Sequence, residues 1–332
     1  MVKAVCYTPE PAFLAITMFP DATGRPTDRP CSLCANTQHN SLLTAEENMF
    51  GMGKMFDYLH CGHCGVLHIL DVPPDLAAYY PTGAYYSTQR KSWVTQQLAR
   101  LRDRSYAYPS LLGSLLRSRF PSPALQATLN IAQDRTTRIL DVGCGGGALL
   151  RSLADLGFEH LYGVDPLITA KQTHEGVHLL PGELKDVHGE FDLIMFHHSL
   201  EHMPDQLNVL TAARERLTPD GRVLICIPTV DSLAFDAYGR HWGQLDAPRH
   251  LYLHSHRSIR ELACKAGFQI SALHCNSQPM QFWTSEMHKD GYPLISAHLK
   301  IYKRRRIRFF RQLTIWANSV DRGDQIAVQL RA

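Results

Sequence analysis

The stretch ILDVGCGGGALL, residues 139–150, constrains this chain more than any other. A short apolar run ends in an acid, passes through a cluster of glycines and continues with apolar residues at helical spacing. Strand, tight turn and helix therefore follow one another without a linker. Gly143, Gly145 and Ala148 stand at G-x-G-x-x-[G/A] spacing, in which glycine permits the turn and lets backbone amides approach a ligand. From 122 onward helices alternate with short β-rich runs. PALQATLNIAQ reads as a helix, RILDVG as the first strand, ALLRSLADLG as a helix closed by Gly157, HLYGVD as the second strand, VHLLPG as a poor third and FDLIMFHHS as the fourth. QLNVLTAARERLTPDG, RVLICIP, SHRSIRELACKAGF and QISALHCN then read as a helix, the fifth strand, a capped helix and the sixth strand. Such alternation predicts an α/β fold, a parallel sheet covered on both faces.

Two acids bear on which ligand the turn holds. A dinucleotide brings a pyrophosphate, which favours amide donors and disfavours a nearby carboxylate. Asp141 lies two residues before Gly143, so its side chain falls near the same pocket. S-adenosylmethionine carries an ammonium and a sulfonium and no phosphate, and suits that acid better. Asp165 ends the second strand, 22 residues after Gly143, where a carboxylate accepts ribose hydroxyls in either ligand class. Gly182 and Glu183 fall at the tip of the third strand, near the adenine.

A separate signal lies upstream. Cys31 and Cys34 form CSLC, and Cys61 and Cys64 form CGHCG. Two such knuckles supply four thiolates to one tetrahedral Zn²⁺, a closed site with no open position, so the expected metal is structural. His60 and His63 are spare ligands. The other five of the nine cysteines are scattered. An odd total without an export signal favours reduced thiols and a cytoplasmic location. Hydrophobic residues at 45% and charged ones at 20% exclude a largely disordered chain, and a net charge of +3 does not by itself imply a nucleic-acid partner. No apolar run reaches the ~18 residues of a membrane span. The expected organisation is an arm over 1–25, a zinc ribbon over 26–75, a helical connector over 76–121 and the α/β domain over 122–332. The connector opens with paired prolines and tyrosines laid on a surface and continues as helices from about 91 to 118.

Taken in order, LDVGCGGG, YGVDP, FDLIMFHHSLEHMPD, LTPDGRVLICIP and KAGF resemble the class I S-adenosylmethionine-dependent methyltransferases over roughly 122–275, and the terminal DQIAVQLR looks like that fold's last, antiparallel strand. With LHCGHCG, PP and AYY before it, the chain is similar to a bacterial subgroup whose four-cysteine ribbon precedes the transferase. The resemblance implies a Rossmann-like seven-stranded methyltransferase sheet, with a helical insertion over 277–322 before the last strand. It implies S-adenosyl-L-methionine as cofactor, and carries cofactor contacts to Asp141, Gly143, Cys144, Gly145, Gly147, Asp165, Pro166, Glu183 and His198. That subgroup is associated with sugar, surface-glycan and secondary-metabolite modification, which implies a small-molecule or glycan acceptor and not DNA. Two other readings stay open: a quinone or lipid-linked O-methyltransferase at a membrane surface, and an RNA-binding zinc-ribbon protein that methylates RNA.

Methyl transfer is an in-line displacement at a sulfonium, so the acceptor must be aligned and, where it is a hydroxyl or carbon acid, deprotonated. Open α/β sheets bind ligands beyond the carboxyl ends of their strands, and two histidine-rich segments fall there. FHHSLEHMPD holds His197, His198, Glu201 and His202, which the resemblance sets at the cofactor's methionine end and the acceptor mouth. GRHWGQLDAPRHLYLHS, residues 239–255, holds Trp242, Asp246, Arg249 and His250, similar to the subgroup's W-x-x-L-D-x-P-R-H stretch. A histidine that titrates near neutrality serves as a base, and an adjacent aspartate can orient it. His250 is the first base candidate and His202 the second, with Glu201, Trp242, Asp246 and Arg249 as acceptor contacts. Local roles compete: Glu201 and His202 can serve a helix start, and Arg249 and His250 can hold the loop to the sheet. Lastly, seven Lys or Arg residues lie between 300 and 311, beside Phe309, Phe310 and Trp316. That run reads as a face for an anionic membrane (300–316), a phosphate-bearing acceptor, a dimer partner or solvent.

Overall fold

The computed structural model describes residues 24–80, 93–304 and 306–332. The expected N-terminal arm, apart from its last two residues, lies outside these, as do the second of the two AYY sequences (84–86, the first being 78–80), the start of the helix expected from 91 and Arg305 of the basic run.

The N-terminal part is an antiparallel meander of β1 (Arg25–Thr27), β2 (Asn40–Glu46), β3 (Met55–His60) and β4 (Leu67–Ile69). The connector supplies α1 (Trp93–Ala107) and α2 (Leu111–Arg119), the latter capped by Ser110, whose Oγ accepts the Gly113 amide. Next come α3 (Pro123–Leu129), β5 (Arg138–Val142), α4 (Ala148–Ala154), β6 (His160–Asp165), β7 (Gln172–His174), β8 (Val177–Pro181), β9 (Phe191–His197), α5 (Gln206–Arg214), β10 (Leu217–Pro228) and α6 (Leu233–Tyr238). The chain ends with β11 (Tyr252–Leu253), α7 (His256–Lys265), β12 (Gln269–Cys275), α8 (Met280–Lys289), α9 (Leu299–Arg304), α10 (Ile307–Ser319) and β13 (Gln325–Arg331).

The large sheet runs β12-β13-β10-β9-β5-β6-β8-β7. Strands β8, β6, β5, β9 and β10 are parallel neighbours, and β13 is antiparallel between β10 and β12. All seven expected strands are present, with an eighth beside them. β7 folds back on β8 through Glu175 and Gly176, both at positive φ (50° and 79°), the geometry of a two-residue type I′ hairpin. Its three residues are polar and exposed, so hydrophobic patterning gave no sign of them.

Apolar side chains cover both faces. Leu140, Phe196, Ile225 and Val328 face a core with α5 and α7, and Ile139, Leu193, Met195 and Leu224 face a second core with α3 and α4. A third core, with Tyr58, Trp242, Phe282 and Phe310, joins the N-terminal meander to the loop after α6 and to the late helices. The meander's open edge at β4 is closed by β11, which comes from the α/β part of the chain, making one five-stranded sheet. An unpaired strand edge exposes a row of backbone donors and acceptors, and β11 pairs that of β4 while itself presenting an edge only two residues long. The Cys64 carbonyl also accepts a 2.5 Å hydrogen bond from Ser255 Oγ, at the capping box that opens α7. The meander and the α/β part of the chain therefore share a sheet and a core. The late insertion is helical as expected, yet its aromatic face divides. Phe310 is buried and stacks on Phe282, while Phe309 is exposed beneath the Arg306 guanidinium. Among the described residues no helix is long and apolar enough to cross a membrane.

Candidate functional site

The glycine turn after β5 is shaped by backbone angles that only glycine adopts readily. Gly143, Gly145 and Gly147 have φ of 78°, 52° and 73°. A Cβ on Gly143 would lie 2.4 Å from Ser199 Cβ, so the turn sits flat against the tip of β9. Asp165, at the end of β6, accepts the amides of Gly145 and Leu167, each at 2.8 Å, which leaves each carboxylate oxygen a second lone pair. The Gly182 amide donates to the Asp165 carbonyl at 3.3 Å, bringing the tip of β8 alongside. Glu183 is exposed there, in a capping box with Asp186 and a 2.8 Å ion pair with Lys185. Pro166 is exposed in the turn after β6. Cys144 packs its sulfur on β6, where a Cβ on Gly163 would come within 2.6 Å of Sγ.

Asp141 differs from Asp165. Both are buried, but Asp141 Oδ1 has no hydrogen-bond partner among the described residues. Burial first, then the charge of Asp165, pushes its carboxyl up to about 7. A buried acid with an unfilled acceptor behind an amide-rich turn fits a cationic group, which would supply the missing partner.

One strand away, Ser199 Oγ donates to the Val142 carbonyl at 2.6 Å and locks the end of β9 to this turn. His198 takes φ 50°, and its Nδ1 lies 3.3 Å from Glu201 Oε1. Glu201 is wholly buried and its Oε2 has no partner among the described residues. Burial alone would raise its carboxyl, but His198 first, then His202 and His250, hold it at about 2. For His198 burial works against the charge, and the bond to Glu201 outweighs it and raises the imidazole above its usual value. His202 Nδ1 is 2.8 Å from the Arg249 carbonyl and 3.2 Å from the Tyr80 hydroxyl. Its ring meets that of His250 edge-on at 4.7 Å between centroids.

His250 departs from its expected role. Burial first, then His202, lowers it to about 4, far below the range of an efficient base at neutral pH. Its Nδ1 is held by the Gln244 carbonyl at 2.7 Å, while Asp246 stands 3.9 Å from Nε2. The aspartate that was expected to orient it is turned to Arg249 instead.

Two of the expected acceptor contacts, Trp242 and Arg249, are sealed inside the protein. Arg249 is 0% exposed; its Nη2 donates to Glu47 at 2.7 Å and to Asp246 at 2.6 Å, its Nε to both Asp246 oxygens at 3.1 Å, and its Nη1 to the Tyr79 carbonyl at 3.1 Å. Glu47 is also 0% exposed and accepts the amides of Met49, Phe50 and Met52. Arg249 is therefore a clasp between the meander and the α/β domain, and Asp246 is part of it. Trp242 lies in the third core, its Nε1 donating to Asp324 Oδ2 at 3.2 Å. His197 is half-buried beside Thr128, Nε2 to Oγ1 3.4 Å. Glu47 and Asp324 were missed in the sequence because each is a lone polar residue whose partner is remote in the chain, and Tyr80, one of the connector's paired tyrosines, was read only as surface packing.

The four cysteines converge. Cys31 and Cys64 sulfurs are 3.8 Å apart and Cys34 and Cys61 sulfurs 3.6 Å, with all four within 4.8 Å of one another. A tetrahedron of ~2.3 Å Zn–S bonds has edges of ~3.8 Å, so the donor set and its spacing suit zinc. The amides of His63 and Cys64 point at Cys61 Sγ, at 3.4 and 3.5 Å. His63 Nε2 lies 2.7 Å from Arg257, and His60 packs on Phe235, so neither joins the cluster.

Comparison with known proteins matches residues 103–273 to the family described as "Methyltransferase domain". The ubiquinone biosynthesis O-methyltransferase of Aromatoleum aromaticum is 34% identical over 98 residues, 26% of this chain and 42% of that protein. Its counterpart in Aeromonas salmonicida is 36% identical over 100 residues, with the same coverage of 26% and 42%. The matched stretch thus spans less than half the length of these relatives. A solved S-adenosylmethionine dependent methyltransferase from Mesorhizobium loti superposes with a TM-score of 0.40 at 16% identity, covering 63% of this chain and 96% of that one.

Proposed function

The chain belongs to the methyltransferase domain family, and on that premise we propose that it transfers a methyl group from S-adenosyl-L-methionine to a hydroxyl of a small-molecule or glycan-type acceptor. The observation that carries this reading is the unfilled carboxyl of Asp141 behind the glycine turn, with an acid–histidine cluster at the adjacent strand tip. The cofactor supplies an electrophilic methyl on a sulfonium. Asp165 accepts the ribose hydroxyls, and Asp141 meets the ammonium. The amides of Gly143, Cys144, Gly145 and Gly147 donate within the protein and fix the shape of the turn, whose backbone lies along the nucleoside with Pro166 and Glu183 at its rim.

The acceptor oxygen's electron pair forms the new O–C bond as the C–S bond breaks, and sulfur keeps that pair as a neutral thioether. The acceptor proton passes to His198 Nε2. Glu201 holds the other ring nitrogen and stabilises the imidazolium, a role that burial denies to His250. In the same reading Zn²⁺ sits on Cys31, Cys34, Cys61 and Cys64 as a folding clip.

The O-methyl acceptor is supported by relatives that are named ubiquinone biosynthesis O-methyltransferases. A quinone-like acceptor at a membrane gains support from exposed Phe309 among basic residues. Calorimetry with S-adenosylhomocysteine, together with a labelled-methyl assay over metabolite extracts, tests the proposal. Binding of S-adenosylhomocysteine in preference to NADH is the expected result; tight binding of NADH and none of S-adenosylhomocysteine would overturn it.

A further inference from the structure

Glu201, His202 and His250 have an organisation that acid–base chemistry alone does not require. One candidate ligand atom from each, a carboxylate oxygen and two imidazole nitrogens, lies within 4.8 Å of the other two, on two segments that meet only in the fold. Each imidazole has its Nδ1 against a backbone carbonyl, His202 on Arg249 at 2.8 Å and His250 on Gln244 at 2.7 Å. A carbonyl accepts, so Nδ1 carries the proton in both rings and Nε2 presents a lone pair. Outer-sphere carbonyls fix the ring tautomer and orientation of metal-binding histidines in this way. Glu201 uses Oε1 for His198 and leaves Oε2, in a wholly buried side chain, without a partner among the described residues.

We propose that Glu201, His202 and His250 bind a divalent first-row transition-metal ion through Oε2 and the two Nε2 atoms. Two imidazoles and one carboxylate suit zinc, iron, cobalt or manganese, and differ from the four soft thiolates of the N-terminal cluster. Ligands on one ion of this kind stand ~3 to 3.5 Å apart, so the three side chains close by small rotations. Three protein ligands leave coordination positions open, as catalytic sites do and structural ones do not. The site lies at the tip of β9, which Ser199 ties to the glycine turn, so the ion faces the acceptor side. Given the methyltransferase reading, on which this last step rests, the site selects acceptors with two neighbouring oxygens, a vicinal diol or an ortho-dihydroxy ring.

Cobalt(II) is the probe. Full-length protein, treated briefly with chelator so that the four-thiolate zinc stays in place, is titrated with Co²⁺ by calorimetry and visible spectroscopy. One further equivalent per chain is expected, with weak d–d bands and no thiolate charge transfer. Glu201→Gln and His202→Gln each weaken it by roughly 100-fold or more while near-ultraviolet circular dichroism stays native. His202 is half-buried, so its variant carries the test if Glu201→Gln does not fold. Absence of a second equivalent, a thiolate signature only, or affinity indifferent to both substitutions overturns the site. S-adenosylhomocysteine titrated into the same samples separates the failures. If it binds and Co²⁺ does not, the ion site alone falls; if Co²⁺ binds and it does not, the methyltransferase reading falls.

Discussion

Arg249 and Asp141 are both buried charged side chains in segments rich in functional residue types, and they differ in one respect. Arg249 has its nitrogens engaged by Glu47, Asp246 and the Tyr79 carbonyl. Asp141 has an acceptor left over. A buried charge that the fold has satisfied is structural, because nothing remains for a ligand to do there. One that the fold has left short is held at a cost in stability that a ligand can offset. Residue type pointed to both, and only their bonding tells them apart.

The largest test of this contrast is on the satisfied side. Arg249→Met leaves Glu47 buried without its counter-charge, and a loss of ~3 to 5 kcal/mol is expected in chemical denaturation. Adding Glu47→Gln should return part of it. A stable Arg249→Met protein that has lost only acceptor affinity would restore arginine as a substrate contact. Beside Asp141, Asp165 has both oxygens on amides but keeps lone pairs for a ligand, and Asp165→Asn should weaken S-adenosylhomocysteine roughly 10- to 100-fold in calorimetry, since a charge-assisted bond contributes ~1.5 to 3 kcal/mol. Unchanged affinity would remove the ribose contact.

Asp141 gives a subtler pH signature. Its folded value of about 7 lies above the ordinary aspartate value of 3.8, so the folded chain keeps a proton that the unfolded chain has lost. Its contribution to stability therefore declines as pH rises between those values and levels off above 7. An ammonium pairs with the ionised form, so S-adenosylhomocysteine affinity should rise roughly tenfold from pH 6 to pH 8, and Asp141→Asn should flatten both trends. A wild-type affinity that does not vary over this range would mean that the acid does not meet the ligand. The smallest effect is expected at Phe309, where exposure predicts a change within ~0.5 kcal/mol on Phe309→Ser. Loss of co-sedimentation with anionic liposomes in that variant would show that the basic insertion touches a membrane; no sedimentation of the wild type would leave it a solvated face.

Much of the molecule was legible because its signals are local. The first strand, glycine turn and helix are contiguous, and each C-x-x-C pair is one turn of chain. The antiparallel last strand and the late helices were also readable in order. The hairpin strand β7 was not, because three exposed polar residues carry no alternation. Nor was the division within residues 239–255. Trp242 and Arg249 became core and clasp, whereas His250 joined Glu201 and His202. Nothing in that stretch announced Glu47, 202 positions upstream of Arg249.

What the amino-acid order by itself determined was the class of fold, the glycine turn between strand and helix and the four-cysteine cluster, since each follows from backbone freedom, hydrophobic period or short ligand spacing. Tertiary structure alone decided which polar side chains are used up and which are left wanting. That depends on partners far away in the chain, and a hydrogen bond exists only when folding brings donor and acceptor together and takes water away.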